Sequence, residues 1–195
     1  MTPSSRWAKY QYSELSPEQT AAVEEAVDDA RLTTFLEKHP LQRLDFTNQR
    51  TGDYALDSAS GWTIPPTAKV KGVSYPWINV KPIFRLDRLP LGNEPLRPGF
   101  SPVVAVVDST IGFMKCVLAH ELGHHIIFER PDLMSAIKAD FQHGIPISDY
   151  ASLNSEEYFC ETLAAYTYYQ NDLLKYDKIG YNLVRDILKA LEGTP

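Results

Sequence analysis

The spacing of hydrophobic residues changes along the chain and divides it into a helix, a strand-rich middle and a helical second half. In residues 16–39, apolar side chains recur every three or four positions beneath an acidic outer face, a pattern that predicts an amphipathic helix. Ser16 and Pro17 suit its first turn, and Pro40 ends it. The N-terminal part therefore predicts one helix that buries a single face.

The middle of the chain, residues 41–108, is rich in proline, in β-branched residues and in aromatic residues. Short apolar runs between turn residues are typical of β-strands. The candidate strands are Leu41–Phe46, Val70–Tyr75, Ile78–Leu86 and Val103–Val107. Pro82 removes a backbone donor from its run, so that strand is expected at an edge or to be interrupted.

Helical spacing returns in the second half of the chain. The predicted helices cover residues 109–130, 131–142, 155–171 and 177–192. A helix, a small mixed sheet and then several helices is an order typical of the α+β class. The length of 195 residues suits one domain, in which residues 1–100 supply the first helix and the sheet and residues 101–195 supply the later helices.

Charge and composition exclude several classes of protein. The net charge is −6, and an acidic chain lacks the positive surface that binds phosphate backbones, so no nucleic-acid partner is expected. No apolar run approaches the length of about 18 residues that a membrane-spanning helix needs, so no membrane association is expected either. The first residues lack the apolar segment of a secretory signal, which favours a cytoplasmic protein or a delivered effector or toxin.

Residues 120–124 read His-Glu-Leu-Gly-His inside the predicted helix 109–130. Positions i and i+4 share a helix face, so His120 and His124 can bind one zinc ion and Glu121 can reach a water at the metal. The flanking residues are apolar on nearly all sides, which predicts a buried helix. Because buried polar groups without partners are costly, and a metal supplies the partner, we predict one zinc ion per chain.

A catalytic zinc site needs a third protein ligand and leaves its fourth position open. Arg130 stands where a longer metal-binding motif has a third histidine, so that class is excluded. His125 points about 100° away from His124 around the helix and cannot join from the same face. The third ligand must therefore come from another part of the chain.

The predicted helix 155–171 carries three glutamates near its start. Glu157 and Glu161 share a face, which can present one carboxylate to zinc and the other to a histidine N–H. The alternative is capping, in which Asn154 or Ser155 closes the first turn and acidic residues favour the helix dipole. Capping suits Glu156 and leaves Glu161, deeper in an apolar helix, unexplained.

The segment from Tyr150 to Glu161 resembles the second active-site block of the anthrax lethal factor-like zinc metallopeptidases, a family that includes small secreted Pro-Pro endopeptidases. Their block has a tyrosine, six residues, a ligand glutamate, two aromatic residues, a small residue and a second glutamate. Cys160 departs from the usual alanine at the small position. Residues 62–100 have no counterpart, so the resemblance implies nothing about substrate preference.

The resemblance implies a zincin-like fold and a role for each site residue. The implied roles are zinc ligands for His120, His124 and Glu157, general base for Glu121, oxyanion donor for Tyr150 and support of a ligand for Glu161. A phenol whose pKa is near 10 keeps its proton at pH 7, which suits an oxyanion donor; the alternative for Tyr150 is packing at a helix entry.

These observations predict a zinc-dependent endopeptidase acting on a polypeptide, with a narrow protein target. An extended substrate could lie along Val103–Val107 by β-pairing; the alternative is that this apolar run is a buried core strand. The alternative function is a zinc-binding regulatory or interaction module without turnover. Cys116 and Cys160 are expected to be buried thiols that fill space between packed helices, although a disulfide or a thiolate ligand is conceivable.

Overall fold

The computed structural model describes residues 10–12, 17, 33–46, 61–64, 77–80, 98–100 and 109–193. The strands are β1 (Tyr10–Tyr12), β2 (Arg43–Phe46), β3 (Gly61–Ile64) and β4 (Trp77–Val80). The helices are α1 (Thr33–Lys38), α2 (Ser109–Glu129), α3 (Met134–Phe141), α4 (Ser155–Tyr168), α5 (Gln170–Tyr176) and α6 (Lys178–Gly193). Short 3₁₀ turns lie at Pro131–Leu133 and Tyr150–Ser152.

The four strands form one mixed sheet in the order β1-β2-β4-β3. Strand β2 pairs in parallel with β1 and with β4, whereas β3 pairs antiparallel with β4. In that last pair Thr63 lies opposite Ile78. A small mixed sheet combined with α2 to α6 confirms the α+β class, and it places β3 at an edge of the described sheet.

Helix α2 lies between the sheet and the C-terminal helices, and its main partner is α4. The same buried cluster includes Leu44 and Ile78 from the sheet, Leu122 from α2 and Phe159 and Leu163 from α4. A helix with neighbours on opposite sides must be apolar nearly all round, which is the pattern that its sequence shows. The polar residues that α2 does bury therefore stand out as candidates for chemistry.

The close approach of α2 and α4 depends on one glycine. A Cβ added at Gly123 would lie 2.8 Å from the Sγ of Cys160 and 3.0 Å from its Cα. The first distance is shorter than real Cβ contacts and the second is tighter than most of them, so a side chain at position 123 would force α2 and α4 to shift. Cys116 and Cys160 are both buried and neither forms a disulfide, as the packing interpretation predicts.

Several predicted elements are confirmed within the described residues. Strand β2 falls within its predicted run, and α2 covers the predicted helix to within one residue. Strand β4 begins one residue before its predicted run, and it lies between β2 and β3 and not at an edge of the described sheet. Asn154 caps α4, since its side-chain oxygen accepts from the backbone N–H groups of Glu156 and Glu157. None of the described helices combines the length and apolar character required to cross a bilayer.

Other predictions differ from the structure or lie outside it. The predicted helix 155–171 ends earlier, because Tyr169 adopts φ −130° and ψ 39° and separates α4 from α5. Strands β1 and β3 are too short to stand out in the sequence. Val70–Tyr75, Val103–Val107 and most of the predicted helix 16–39 lie outside the described residues.

Candidate metal centre

The histidines of the His-Glu-Leu-Gly-His segment lie on one face of α2, one turn apart. Their ring centroids are 5.1 Å apart. His120 is 8 % exposed and His124 is half-buried, so this polar face is only partly open to solvent. His125 faces elsewhere, because its Nε2 lies 2.8 Å from the backbone oxygen of His39. The structure thus separates the two candidate ligands from their neighbour, as the helical geometry predicts.

Helix α4 brings Glu157 against both histidines. Its Oε2 lies 3.1 Å from the Nε2 of His120 and 3.5 Å from the Nε2 of His124. The Asn154 cap sets the phase of the helix, which leaves Glu156 exposed and turns Glu157 towards α2. Burial favours a neutral carboxyl, but the contacts with His120 and His124 outweigh it and hold the pKa of Glu157 well below its usual range.

Glu161 lies one turn further along α4 and binds the other nitrogen of His120. Its Oε1 is 2.9 Å from Nδ1 of His120, so the imidazole donates Nδ1–H to this carboxylate. The other ring nitrogen, Nε2, faces Oε2 of Glu157 at 3.1 Å. Oε2 of Glu157 is buried. It faces a lone pair if the imidazole is neutral, and it accepts Nε2–H if the imidazole is protonated.

A cation at Nε2 of His120, either a proton or a metal ion, balances the charge of Glu157. Two nitrogen or oxygen donors about 2.0–2.1 Å from one ion at a tetrahedral angle lie about 3.3–3.4 Å apart. The separations of 3.1 Å and 3.5 Å from Glu157 to the two histidines bracket that value. Burial lowers the pKa of His120, but Glu157 and Glu161 outweigh it and raise that pKa to about 10, so the surroundings favour positive charge at this ring. The residues therefore fit a divalent metal.

Cys160 is a second candidate for the third ligand, because the donor atoms of His120, His124 and Cys160 all lie within 4.8 Å of one another. This group could hold a metal ion. Burial, followed by the charges of Glu157 and Glu121, raises the pKa of the Cys160 thiol well above its usual range. A metal ion deprotonates a thiol that binds it, so this pKa does not decide between the two candidates. The separations of 3.1 Å and 3.5 Å between Oε2 of Glu157 and the two histidine nitrogens favour Glu157.

Ser148 extends the support of the metal face and was not identified from the sequence. It is fully buried; its Oγ donates to Oε2 of Glu161 at 2.9 Å and accepts from the backbone N–H of Ala151 at 2.9 Å. A chain of hydrogen bonds thus runs from the 3₁₀ turn that carries Tyr150 through Glu161 to His120. No feature of a lone serine in a loop sequence could have indicated this role.

Tyr150 lies on the exposed side of the same face. Its ring centroid is 5.8 Å from that of His120, and the residue is 37 % exposed. Partial burial, with the negative charge of Glu157 as the next cause, raises the pKa of the phenol above its usual value. The hydroxyl therefore keeps its proton at neutral pH and remains a donor.

Strand β3 contacts Glu121 from the side of α2 that faces the sheet. The Oγ of Thr63 lies 2.6 Å from Oε2 of Glu121 and 3.0 Å from its backbone oxygen. A Cβ added at Gly61 would lie 2.9 Å from Oε1 of the same carboxylate. Neither Gly61 nor Thr63 was identified from the sequence, because β3 itself was not predicted.

No protein-family model, curated protein or solved structure gives a significant match to this chain. The resemblance to the anthrax lethal factor-like metallopeptidases stays a prediction that rests on the residues of the two segments. The structure brings five of the predicted site residues together: His120, His124, Glu157, Glu161 and Tyr150. The side chain of Glu121 instead contacts Thr63 on the side of α2 that faces the sheet. The run Val103–Val107, predicted to hold a substrate, lies outside the described residues.

Proposed function

We propose that this chain is a zincin-like, zinc-dependent endopeptidase. The observation that supports the proposal is the position of Oε2 of Glu157, 3.1 Å and 3.5 Å from the Nε2 atoms of His120 and His124, because these separations suit three ligands of one metal ion. Structural zinc sites are closed by four protein ligands, whereas three protein ligands with an open fourth position are typical of catalytic sites. His120, His124 and Glu157 would hold the ion.

The neighbouring residues match the steps of peptide hydrolysis. A bound zinc ion would supply Lewis acidity and lower the pKa of water to about 7. Glu121 takes a proton from the attacking water and returns it to the leaving amine. Tyr150 donates its O–H to the carbonyl oxygen as negative charge develops there. Glu161, held by Ser148, keeps His120 in the tautomer whose Nε2 is a ligand.

The proposed substrate is an extended polypeptide segment. Strand β3 is at an edge of the described sheet and contacts Glu121 through Thr63. An extended peptide could pair with the outer side of β3 and so bring a scissile bond close to the metal face. The contact between Thr63 and Glu121 favours β3 as the substrate edge, whereas Val103–Val107 lies outside the described residues.

The test combines metal analysis with cleavage of a fluorescence-quenched peptide library. We expect about one zinc per chain, cleavage that stops with a chelator and returns with zinc, and no cleavage by Glu121→Gln, which should still bind zinc. Proteome-wide cleavage profiling, with Glu121→Gln as the blank, then identifies the target. Zinc binding without cleavage would instead support a silent zinc-binding module, and a chain that binds no zinc would refute both functions.

A further inference from the structure

Strand β3 presents alternate residues to the carboxylate of Glu121. Gly61 and Thr63 are two positions apart, so they lie on the same face of the strand. Thr63 lies 2.6 Å from Oε2, while the missing side chain of Gly61 leaves space beside Oε1. A Cβ at Gly61 would also lie 2.6 Å from Cγ1 of Val117. One carboxylate oxygen is therefore held, and the other is left without a neighbouring side chain from β3.

The hydroxyl of Thr63 has one proton and two acceptors within reach. The carboxylate of Glu121, at 2.6 Å, is closer than its backbone oxygen, at 3.0 Å. The shorter of the two contacts is the stronger hydrogen bond, so the hydroxyl donates to the side chain of Glu121. Thr63 consequently does more than join β3 to α2.

We infer that Thr63 is a positioning residue that orients the general base Glu121, an inference that rests on the proposed peptidase function. The final torsion of a glutamate side chain is broad, so an unrestrained carboxylate samples many orientations. With Oε2 held by Thr63, Oε1 is the oxygen that accepts the proton of the attacking water. Gly61 keeps a side chain from displacing that oxygen.

The kinetic test compares Thr63→Val, which keeps the shape and removes the hydroxyl, with Thr63→Ser, which keeps the hydroxyl. A misplaced catalytic group can cost about 10²-fold in rate, so Thr63→Val should lower kcat by about that factor. KM and zinc content should change little, and Thr63→Ser should restore most of kcat. Thr167→Val is the control, because Thr167 is also half-buried and donates to a carbonyl, that of Leu163, at 2.8 Å.

A second measurement does not depend on activity. Thermal unfolding of the parent, Thr63→Val, Glu121→Ala and the double variant forms a cycle that isolates the contact between the two side chains. We expect Thr63→Val to lower Tm clearly in the parent and much less when Glu121 is already alanine. Equal shifts in both backgrounds would overturn the inference.

The outcomes distinguish this inference from the proposed function. If the parent cleaves peptides and Thr63→Val has the same kcat, the positioning role is refuted and the peptidase function stands. If the parent cleaves no peptide even when zinc is bound, the proposed function fails and the positioning role fails with it. If Thr63→Val lowers kcat and Thr63→Ser lowers it equally, the hydroxyl group is not what positions Glu121, and the inference is refuted.

Discussion

Replacement of Glu157 by alanine separates the two residues that compete to be the third metal ligand. Glu157 contacts both histidines through Oε2, whereas Cys160 lies in the same donor group through its Sγ. Glu156→Ala is a matched control, because Glu156 is exposed in the same helical turn and its N–H is held by the same Asn154 oxygen. Both glutamate substitutions therefore leave the helix cap in place.

The expected magnitude follows from the number of ligands. Apparent binding free energies of about 10–16 kcal/mol for four-ligand zinc sites correspond to roughly 2.5–4 kcal/mol for each ligand. At about 1.4 kcal/mol for each factor of ten, Glu157→Ala should weaken zinc binding by about 10²–10³-fold. Glu156→Ala and Cys160→Ala remove no ligand by this reasoning, so their zinc affinities should stay close to that of the parent.

Competition with a chromophoric zinc chelator at neutral pH measures these affinities, and circular dichroism checks that each variant is folded. The reasoning is refuted if Cys160→Ala loses zinc while Glu157→Ala keeps it, because the site would then be a His-His-Cys centre. A loss of zinc by Glu156→Ala alone would show that the phase of α4 is wrong by one residue.

Three further predictions concern the residues around this centre. Tyr150→Phe should lower kcat by about 10²–10³-fold with little change in KM or zinc content in steady-state assays, and an unchanged kcat would leave Tyr150 only a packing role. Glu161→Ala should weaken zinc binding by about 10–100-fold in chelator competition, and Ser148→Ala should weaken it less, because Ser148 acts on His120 only through Glu161. An equal or larger loss for Ser148→Ala would contradict this order of the hydrogen bonds. Gly123→Ala should lower the free energy of unfolding by about 1–3 kcal/mol in urea unfolding. Adding Cys160→Ala to this variant should restore only part of the loss, because the contact with the Cα of residue 160 remains. Full stability of Gly123→Ala would mean that α2 and α4 are less close than described.

Local patterns were sufficient to locate the main helices and most of the candidate metal centre. The apolar spacing of α2 and the side-chain oxygen of Asn154 act within a few residues, so they can be recognised in the sequence alone. The same locality places His120 and His124 on one face, and Glu157 and Glu161 on another. The end of α4 was predicted less well, because nothing in the residues near Tyr169 indicates a change of backbone dihedral angles.

Contacts between segments that are distant in the sequence could not be predicted from such patterns. The bond between Thr63 and Glu121 joins residues 58 positions apart, and that between Ser148 and Glu161 starts from a loop. A hydroxyl can bond many partners, and only the packing of β3 and of the loop against α2 and α4 selects these two. Helical periodicity thus indicated which residues could bind a metal, whereas tertiary packing decided which atoms face each other and which side chains hold them, because those distances depend on how separate elements meet.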